Sequence, residues 1–459
     1  MKTDTIAAIA TGMTDAGIGI VRISGEGAQA VAEEIFRSKV NTPISERKSH
    51  TMNYGMIFDD GNAVDEVLLS IMRAPHSYTG EDTVEINCHG GMYIVQKILE
   101  VVLKHGARLA MPGEFTKRAF LNGKMDLSKA EAVMDLIHSK NEWARKNSMN
   151  QMQGKVFEEI KELRSQIIYE VAFIESALDD PEHISLDDYP KRLGEKLQTF
   201  AAKLTKMIEN SKNGRIRKDG INTVIVGRPN AGKSSLLNVI AREERAIVTD
   251  IEGTTRDVLE ESVTMGNLTL NLVDTAGIRD TENQVEQIGV SKARKYAEDA
   301  DLLLYVVDAS LPLNENDDSI IEMIIEKEVV ILLNKSDLCT VVTKEELEER
   351  FGRSVPMVNI SARNEEGMEE LTNTLEQMFL QGKRSLNEDI VITNLRQSQE
   401  LIECLDSIHL VQKSVEDGMP EDFFSIDLTN AYLHLGYIIG EEMKDDLVDE
   451  IFSKFCMGK

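Results

Sequence analysis

Four residues of one glycine-rich stretch have the types and spacing of a phosphate-binding loop. Gly227, Gly232, Lys233 and Ser234 follow the pattern G-x4-G-K-[ST] within the run VIVGRPNAGKSSLL. The glycines let the backbone curl until its N–H groups point at phosphate oxygens, and the helix that follows adds partial positive charge. In such a loop the lysine reaches the β- and γ-phosphates and the serine ligates Mg²⁺. The stretch therefore predicts a nucleoside triphosphate site.

Three patterns further along the chain indicate that the nucleotide is GTP. They are DTAG at Asp274, Thr275, Ala276 and Gly277, NKxD at Asn334, Lys335 and Asp337, and SAR at Ser361, Ala362 and Arg363. Each pattern follows an apolar run that reads as a strand, at residues 268–274, 329–333 and 355–360. An aspartate in NKxD accepts hydrogen bonds from N1 and N2 of guanine, a donor pair that adenine lacks. Any one pattern alone could be an accidental loop, but four in this order predict a G domain.

Composition limits the classes of protein to which the chain can belong. Its 459 residues exceed what one hydrophobic core usually supports, so several domains are expected. The run MKTDTIAAIATG lacks the features of a signal peptide and no apolar run is long enough to span a bilayer, which predicts a cytoplasmic protein. Four cysteines without CxxC spacing predict neither a disulfide framework nor a zinc site. A net charge of -28 argues against broad non-specific nucleic-acid binding, so any RNA contact must be local or made through a basic partner.

The N-terminal region reads as an α+β unit. Strands are predicted at residues 5–10, 18–23, 67–72 and 83–87, and a helix over residues 92–104. Arg22 lies inside the second strand, where an arginine most often points to solvent. Three polar clusters, HSYTGED, EINCHGG and PGEFTKRAFLNGKMDL, contain no metal-ligand spacing and no visible catalytic triad.

Helical patterns lie on both sides of the predicted G domain. Apolar residues recur at helical steps at Ile160, Leu163, Ile167, Val171, Ile174 and Leu178, and the helical pattern resumes at about Asn394 and ends in Phe455. Two such blocks predict one helical bundle into which an α/β G domain is inserted, with junctions at residues 214–220 and 382–388. The predicted domains are residues 1–118, 119–215, 216–382 and 383–459, of which the second and fourth form one discontinuous helical domain.

Motifs outside the G domain resemble the MnmE (TrmE) family of tRNA modification GTPases. The G-domain segment GRPNAGKSSLLN is similar to Era and EngA GTPases as well. The C-terminal FCMGK, in contrast, resembles the C-x-G-K ending of the MnmE family. The segments PGEFTKRAFLNGKMDL and GIVRISG also resemble segments of that family. The resemblance implies a folate-binding α+β N-terminal domain, a discontinuous helical domain and an inserted G domain. It implies a K⁺-dependent GTPase that modifies C5 of the wobble uridine, position 34, of certain tRNAs. The partners implied are a second copy bound through the N-terminal domain, the FAD-containing MnmG (GidA) in a heterotetramer, and tRNA.

The resemblance also implies the residues of the GTP site. They are Asn230, Ala231, Gly232, Lys233, Ser234, Ser235, Thr249, Asp250, Ile251, Glu252, Gly253, Thr254, Thr255, Asp274, Thr275, Ala276, Gly277, Asn334, Lys335, Asp337, Ser361, Ala362 and Arg363. Ser234 and Thr255 would hold Mg²⁺, and Asn230, Thr249, Ile251 and Thr254 would hold a K⁺ in the place of an arginine finger.

The residue after DTAG is Ile278, which cannot orient a water molecule as the glutamine of Ras-like domains does. The family resemblance assigns that task to Glu286, which joins Lys233 and Asp274 as a catalytic residue. Closure of the loop that carries Thr254 and Thr255 would be completed by a second G domain, so hydrolysis is expected to depend on G-domain dimerisation.

The family's folate-contacting positions correspond to Arg22, Glu85, Lys124 and Lys459. A tetrahydrofolate derivative, 5-formyl- or methylene-tetrahydrofolate, offers a pterin edge for Glu85 and carboxylates for the basic side chains. The chain departs from the family at Met111, where arginine is usual, and at Asn394-Leu395-Arg396, which lacks a histidine. Cys456 could be a nucleophile or have a structural or folate-proximal role; no histidine neighbours it to activate the thiol.

Two other functions remain open from the sequence. A ribosome-assembly GTPase of the Era/EngA type would need a basic RNA-binding module, whereas residues 441–459 read as an acidic helical tail. A folate-dependent group transferase that carries the G domain only as a regulator would modify tRNA without GTP.

Overall fold

The protein is described by a computed structural model that covers residues 4–39, 42–243, 260–266, 268–273, 300–380, 391–441, 443, 445–455 and 458. The chain forms two compact units. The first contains residues 1–137, 150–200 and 403–459, and the second contains residues 138–149 and 201–402. None of the described helices has the length and apolar character needed to cross a membrane.

The secondary-structure elements are numbered in chain order. The described strands are β1 Ile6–Ile9, β2 Ala16–Ser24, β3 Phe36–Arg37, β4 Thr51–Asp59, β5 Asn62–Met72, β6 Thr83–Gly90, β7 Arg108–Leu109, β8 Ile221–Val226, β9 Glu260–Met265, β10 Leu268–Val273, β11 Leu302–Asp308, β12 Val329–Asn334 and β13 Met357–Asn359. The described helices are α1 Ala28–Ile35, α2 Met92–Lys104, α3 Glu114–Leu121, α4 Leu127–Ile137, α5 Glu142–Met152, α6 Lys155–Asp179, α7 Tyr189–Asp219, α8 Lys233–Glu243, α9 Glu315–Ile324, α10 Lys344–Phe351, α11 Met368–Leu380, α12 Leu395–Glu416, α13 Glu421–Ile439 and α14 Asp445–Ser453, with a 3-10 turn at Ile44–Glu46.

The first unit is built on a seven-stranded sheet in the order β3-β4-β5-β6-β2-β1-β7. All its pairs are antiparallel except β1 with β7. Alternate side chains point to opposite faces, and one face, which includes Ile23, Leu69 and Ile86, packs with α1 and α2 in one core. On the other face Phe115 of α3 packs with Ala8 of β1. The remaining part of that face, on β4 and β5, carries exposed apolar side chains.

The long helix α6 supplies the core of the helical part of the first unit. The predicted apolar stripe is buried from Ile160 to Ile174, as helical periodicity requires, but Leu178 is exposed and the stripe ends at Ala177. Arg164 of α6 lies against α13, where its guanidinium carbon is 3.9 Å from the centre of the Tyr432 ring. The last helix ends at Ser453, two residues before the predicted end.

The second unit is a doubly wound α/β sheet in the order β13-β12-β11-β8-β10-β9. Its pairs are parallel except for the antiparallel pair of β9 and β10. One face, with Ile225 and Leu332, packs in a core with residues of α8 and α11, and the other, with Val224 and Ile331, packs with residues of α9 and α10. Such a sheet binds ligands at the carboxyl ends of its strands, where the strand order reverses.

The predicted junction at residues 214–220 is wrong for its first part. Helix α7 continues without interruption from Tyr189 to Asp219, and Gly214 lies inside it. A Cβ at Gly214 would stand 2.1 Å from Cγ1 of Val391, so the glycine serves a close packing contact and not a linker. Only Gly220, with φ of 86°, adopts the left-handed conformation that ends a helix. The other predicted junction, residues 382–388, lies outside the described residues.

Candidate functional site

The loop after β8 has a backbone that requires glycine. Gly227 and Gly232 have φ angles of 153° and 102°. A Cβ would lie 2.3 Å from the carbonyl oxygen of Val306 at Gly227, and 2.1 Å from Nδ2 of Asn334 at Gly232. Asn230, between them, has φ of 61°, a conformation that asparagine tolerates better than most residues. Conformation and close approach together therefore account for the spacing of the motif.

Lys233 is the first residue of α8, at the inner side of this loop. Its Nζ donates to the carbonyl oxygens of Gly227 at 2.7 Å and Arg228 at 2.8 Å. Burial lowers the pKa of its ammonium group, because desolvation disfavours the charged form. Ser234 and Ser235 follow in the first turn of the helix and are exposed. The loop thus presents a cation, two hydroxyl groups and a helix N-terminus at one place.

A buried asparagine joins three of the predicted motifs. Asn334, at the end of β12, is 2% exposed. Its Nδ2 donates to the carbonyl oxygen of Ala231 at 2.8 Å, and its Oδ1 accepts from the backbone N–H of Ala362 at 3.0 Å. The loop after β8, the NKxD turn and the SAR turn are therefore held together by one side chain.

Asp337 is exposed and oriented by a second motif residue. The hydroxyl of the buried Ser361 donates to Oδ1 of Asp337 at 2.7 Å. Arg363, two residues further, is exposed. The carboxylate is thus fixed in direction while it remains open to solvent, which suits a group that reads a base.

Lys335 forms an ion pair at the end of β11. Its backbone has φ of 64°, and its Nζ lies 2.5 Å from Oδ2 of Asp308. Burial disfavours the charge on Asp308, but hydrogen bonds from Lys335 and Ser310 outweigh burial and hold its pKa below the usual value. Asp308 is not recognisable as a site residue from the sequence, because only its position at the end of an apolar run distinguishes it from other acids.

Other predicted members of the GTP site lie outside the described residues. They are Thr249, Asp250, Ile251, Glu252, Gly253, Thr254 and Thr255, then Asp274, Thr275, Ala276 and Gly277, and finally Glu286. The described part of strand β10 ends at Val273 and runs parallel to β8.

A second group of charged residues lies on the sheet of the first unit. Arg22 of β2 and Glu85 of β6 are directly opposite each other, with 2.8 Å between Nε and Oε1. The Arg22 guanidinium also lies 5.6 Å from the ring centres of Tyr78 and Phe115. Both charged side chains remain partly exposed. Contrary to the usual orientation of a strand arginine, Arg22 is thus enclosed by an acid and two rings.

The C-terminal motif reaches this group through Gly458. Nη1 of Arg22 donates to the carbonyl oxygen of Gly458 at 3.1 Å. Lys124 instead donates through Nζ to the carbonyl oxygen of Pro75 at 3.0 Å and lies against the turn at Gly80. The structure therefore brings Arg22, Glu85 and Gly458 together, whereas the contacts of Lys124 are with the neighbouring loop. Lys459 and Cys456 lie outside the described residues.

The two positions at which the chain departs from the family pattern make local hydrogen bonds. Met111 is exposed, and its backbone N–H donates to Glu114 at 2.8 Å. Asn394 precedes α12, and its Oδ1 accepts from the N–H of Arg396 at 2.9 Å, which is the hydrogen bond of a helix cap.

Comparison with known proteins identifies relatives along the whole chain. The family described as "GTP-binding protein TrmE N-terminus" matches residues 5–124, and the family "MnmE helical domain" matches residues 127–456. The tRNA modification GTPase MnmE of Lachnoclostridium phytofermentans is 54% identical, with 100% of both chains covered. Its counterpart in Clostridioides difficile is 47% identical, with 99% of both covered.

Among solved structures, the G domain of the T. maritima FeoB iron transporter is similar at 28% identity. That likeness covers 35% of this chain and 99% of the other, with a TM-score of 0.26. The family assignment rests instead on the full-length relatives and on the two family models that match this chain. The chain belongs to the MnmE family of tRNA modification GTPases and hydrolyses GTP.

Proposed function

We propose that this protein couples GTP hydrolysis to modification of C5 of the wobble uridine of certain tRNAs, together with the FAD-containing MnmG. The product would carry an aminomethyl or carboxymethylaminomethyl group at position 34. The observation that supports this proposal is the presence, in one chain, of the nucleotide site and of a separate charged site at Arg22 and Glu85. A GTPase that acts only as a switch has no need for the second site. Since tRNA is the proposed substrate, the cytoplasm is the proposed location.

In the nucleotide site we assign Lys233 to the β- and γ-phosphates and Asp337 to the guanine edge. Lys233 would keep its carbonyl partners and gain phosphate oxygens beside them, which relieves the cost of burying its charge. Asp337 would accept from N1 and N2 of the base, in the direction that Ser361 fixes. Asp274 and Glu286 are the proposed partners of Lys233 in hydrolysis.

The described residues fit the metal ions that the family implies. Mg²⁺ and K⁺ both prefer oxygen ligands, and the exposed hydroxyl of Ser234 and the exposed side chain of Asn230 provide them. We assign Ser234 and Thr255 to Mg²⁺, and Asn230, Thr249, Ile251 and Thr254 to K⁺. When bound, these ions would stabilise the charge that develops on the phosphates.

We further propose that the group at Arg22 binds a tetrahydrofolate derivative that donates the added carbon. Glu85 would accept from the pterin's amidine-like edge, while Arg22, Lys124 and Lys459 would pair with its carboxylates. Partial exposure of both Arg22 and Glu85 leaves each able to gain a partner. The rings of Tyr78 and Phe115 enclose the arginine from the sides.

The bare face of β4 and β5 supports the proposed homodimer. Met52, Tyr54 and Leu68 are 62%, 55% and 42% exposed, and Tyr54 lies directly opposite Leu68 in the sheet register. Apolar side chains grouped in this way mark interaction surfaces. We expect Tyr54→Glu to shift the protein from dimer to monomer in sedimentation velocity, whereas Tyr169→Glu, at an exposed tyrosine of α6, leaves the dimer intact. A Tyr54→Glu protein that remains dimeric would remove this surface from the proposal.

The function is tested by mass spectrometry of tRNA nucleosides from cells that lack this protein. We expect the C5-modified wobble uridines to disappear, and to return with wild type but not with Asp274→Ala. The matched control is Asp406→Asn, an exposed acid of α12, which should restore them. Unchanged wobble uridines in the deletion strain, together with defective ribosomal subunits, would favour a ribosome-assembly GTPase. Restoration by Asp274→Ala would favour the transferase that needs no GTP.

A further inference from the structure

Arg228, the residue after the first glycine of the phosphate-binding loop, is buried although it is charged. It is 9% exposed. Its Nε lies 3.2 Å from Oδ1 of Asp317, and its Nη1 donates to the carbonyl oxygen of Pro312 at 3.3 Å. Its Nη2 is buried and has no hydrogen-bond partner among the described residues. The guanidinium therefore connects the loop after β8 with the segment that begins α9.

The partner of Arg228 is held rigidly. Asp317 is fully buried, and its Oδ1 also accepts from the hydroxyl of Tyr305 at 2.8 Å. Its Oδ2 accepts from the backbone N–H of Asn314 at 2.9 Å, as part of the capping box of α9. Burial and the nearby carboxylate raise the pKa of Tyr305, which keeps its hydroxyl a donor. Asp317 is thus fixed by β11 and by the first turn of α9.

Stability is a weak explanation for this arrangement. A buried ion pair costs desolvation on both sides, and an apolar pair of similar volume is often as stable. The unpaired Nη2 adds a further cost, because buried donors are almost always satisfied. An arginine at this position is explained if it fixes the position of the phosphate-binding loop.

The backbone of Arg228 is directly attached to the phosphate machinery. Its carbonyl oxygen accepts from Nζ of Lys233, and so does the carbonyl oxygen of Gly227 next to it. Gly227 has φ of 153° and no side chain, so its own backbone torsions are less restricted than those of other residues. The anchored side chain of Arg228 supplies the missing restriction.

We propose that Arg228 is a positioning residue: its buried contact with Asp317 fixes the first turn of the phosphate-binding loop and thereby the place of Lys233. Without the anchor, the carbonyl groups that hold Lys233 are free to rotate, and the ammonium group loses its alignment with the β-phosphate. This inference rests on the phosphate role proposed for Lys233. Since GDP and GTP share the β-phosphate, affinity for both should fall together while the preference for guanine stays unchanged.

The test is a titration of full-length variants with the fluorescent nucleotide mant-GDP, which gives binding stoichiometry and dissociation constant separately. Stoichiometry measures the folded fraction, and the dissociation constant measures the geometry of each folded molecule. For Arg228→Met we expect a stoichiometry near that of wild type and an affinity lower by about tenfold to a hundredfold. Arg228→Lys should lose less, because it keeps a charge for Asp317. Asp317→Asn, which removes the negative charge beside Arg228 and keeps one of the two acceptor oxygens, should also weaken binding.

The matched control is Arg350→Met. Arg350 pairs with Asp318, the neighbour of Asp317 in α9, and makes no described contact with the phosphate-binding loop. We expect its affinity for mant-GDP to equal that of wild type even if its melting temperature falls. Equal affinity losses in Arg228→Met and Arg350→Met, or none in Arg228→Met, would overturn the proposal. If Arg228→Met does not fold, unchanged affinity in both Arg228→Lys and Asp317→Asn has the same effect.

Lys233→Ala separates this inference from the function on which it rests. If Lys233→Ala binds mant-GDP as wild type does, the phosphate role of Lys233 fails. If Lys233→Ala binds weakly but Arg228→Met does not, only the positioning role of Arg228 fails.

Discussion

The nucleotide site and the charged site on the N-terminal sheet are constructed in different ways. In the first, loops leave the ends of parallel strands, and glycines at Gly227 and Gly232 allow backbone atoms to approach closely. In the second, Arg22 and Glu85 meet because two antiparallel strands place them opposite each other across 63 residues of sequence. The first site depends on backbone shape and the second on strand register.

This difference decides how well each site can be recognised from sequence. A backbone in a left-handed conformation requires glycine at a fixed spacing, which a short motif records. A cross-strand pair requires only that two side chains share a register, and any strand can supply an arginine or an acid. The two sites should therefore also respond differently to substitution.

The largest effect is expected at Asp337. Asp337→Asn replaces a carboxylate that would accept two charge-assisted hydrogen bonds from guanine, so we expect GTP affinity to fall by about 3 to 6 kcal/mol, roughly a hundredfold or more. Xanthosine triphosphate carries an oxygen where guanine has its amino group, and the new amide can donate to it. Competition titration with both nucleotides gives the result. A variant that lost affinity for both equally would show that Asp337 does not read the base.

A smaller loss is expected at Gly232. Gly232→Ala combines a strained φ of 102° with a Cβ placed 2.1 Å from Nδ2 of Asn334. Strain and overlap together cost about 2 to 6 kcal/mol, part of which the loop relieves by moving, so we expect nucleotide affinity to drop roughly thirtyfold. The control is Gly194→Ala, whose Cβ meets nothing within 4 Å. Tight mant-GDP binding by Gly232→Ala would mean that backbone shape does not define this site.

The sequence predicts much of this architecture because local signals and tertiary packing agree in it. Strand β12 and helix α2 lie within one residue of their predicted bounds, and the loop at Gly232 has the backbone that its motif requires. The place of Gly214 inside a helix could not be predicted, because a glycine that permits close packing and one that breaks a helix look the same in sequence. Arg228 and Asp317 could not be paired in advance, since their contact depends on how α9 packs against β11.

Substitution at the charged site on the N-terminal sheet should cost less ligand affinity than substitution at the nucleotide site. Glu85→Gln keeps the shape of the side chain but removes one charge-assisted contact, so we expect affinity for 5-formyl-tetrahydrofolate to fall by about 1.5 to 3 kcal/mol, or roughly tenfold or more. Glu66→Gln, at an exposed acid of β5, is the matched control. Isothermal titration calorimetry of both variants measures the difference. Equal affinities would contradict the assignment of Glu85 and leave the contrast with the nucleotide site without support.

The smallest effect concerns two glycines of α7 and tests whether close approach is the right criterion for a required glycine. Replacement of a glycine by alanine inside a helix stabilises the folded state by about 1 kcal/mol at either position, because alanine has the higher intrinsic helix propensity. At Gly194 nothing opposes the gain, so the melting temperature of Gly194→Ala should rise. At Gly214 the new Cβ would overlap Cγ1 of Val391, and an overlap of this kind costs about 1 to 3 kcal/mol, so Gly214→Ala should be neutral or less stable than wild type.

Shortening Val391 to alanine in the Gly214→Ala background removes the overlapping atom, and that double variant should be more stable than Val391→Ala alone. If Gly214→Ala instead gained as much stability as Gly194→Ala, close approach would not identify a required glycine. The requirement for glycine at Gly227 and Gly232 would then be explained by their φ angles alone.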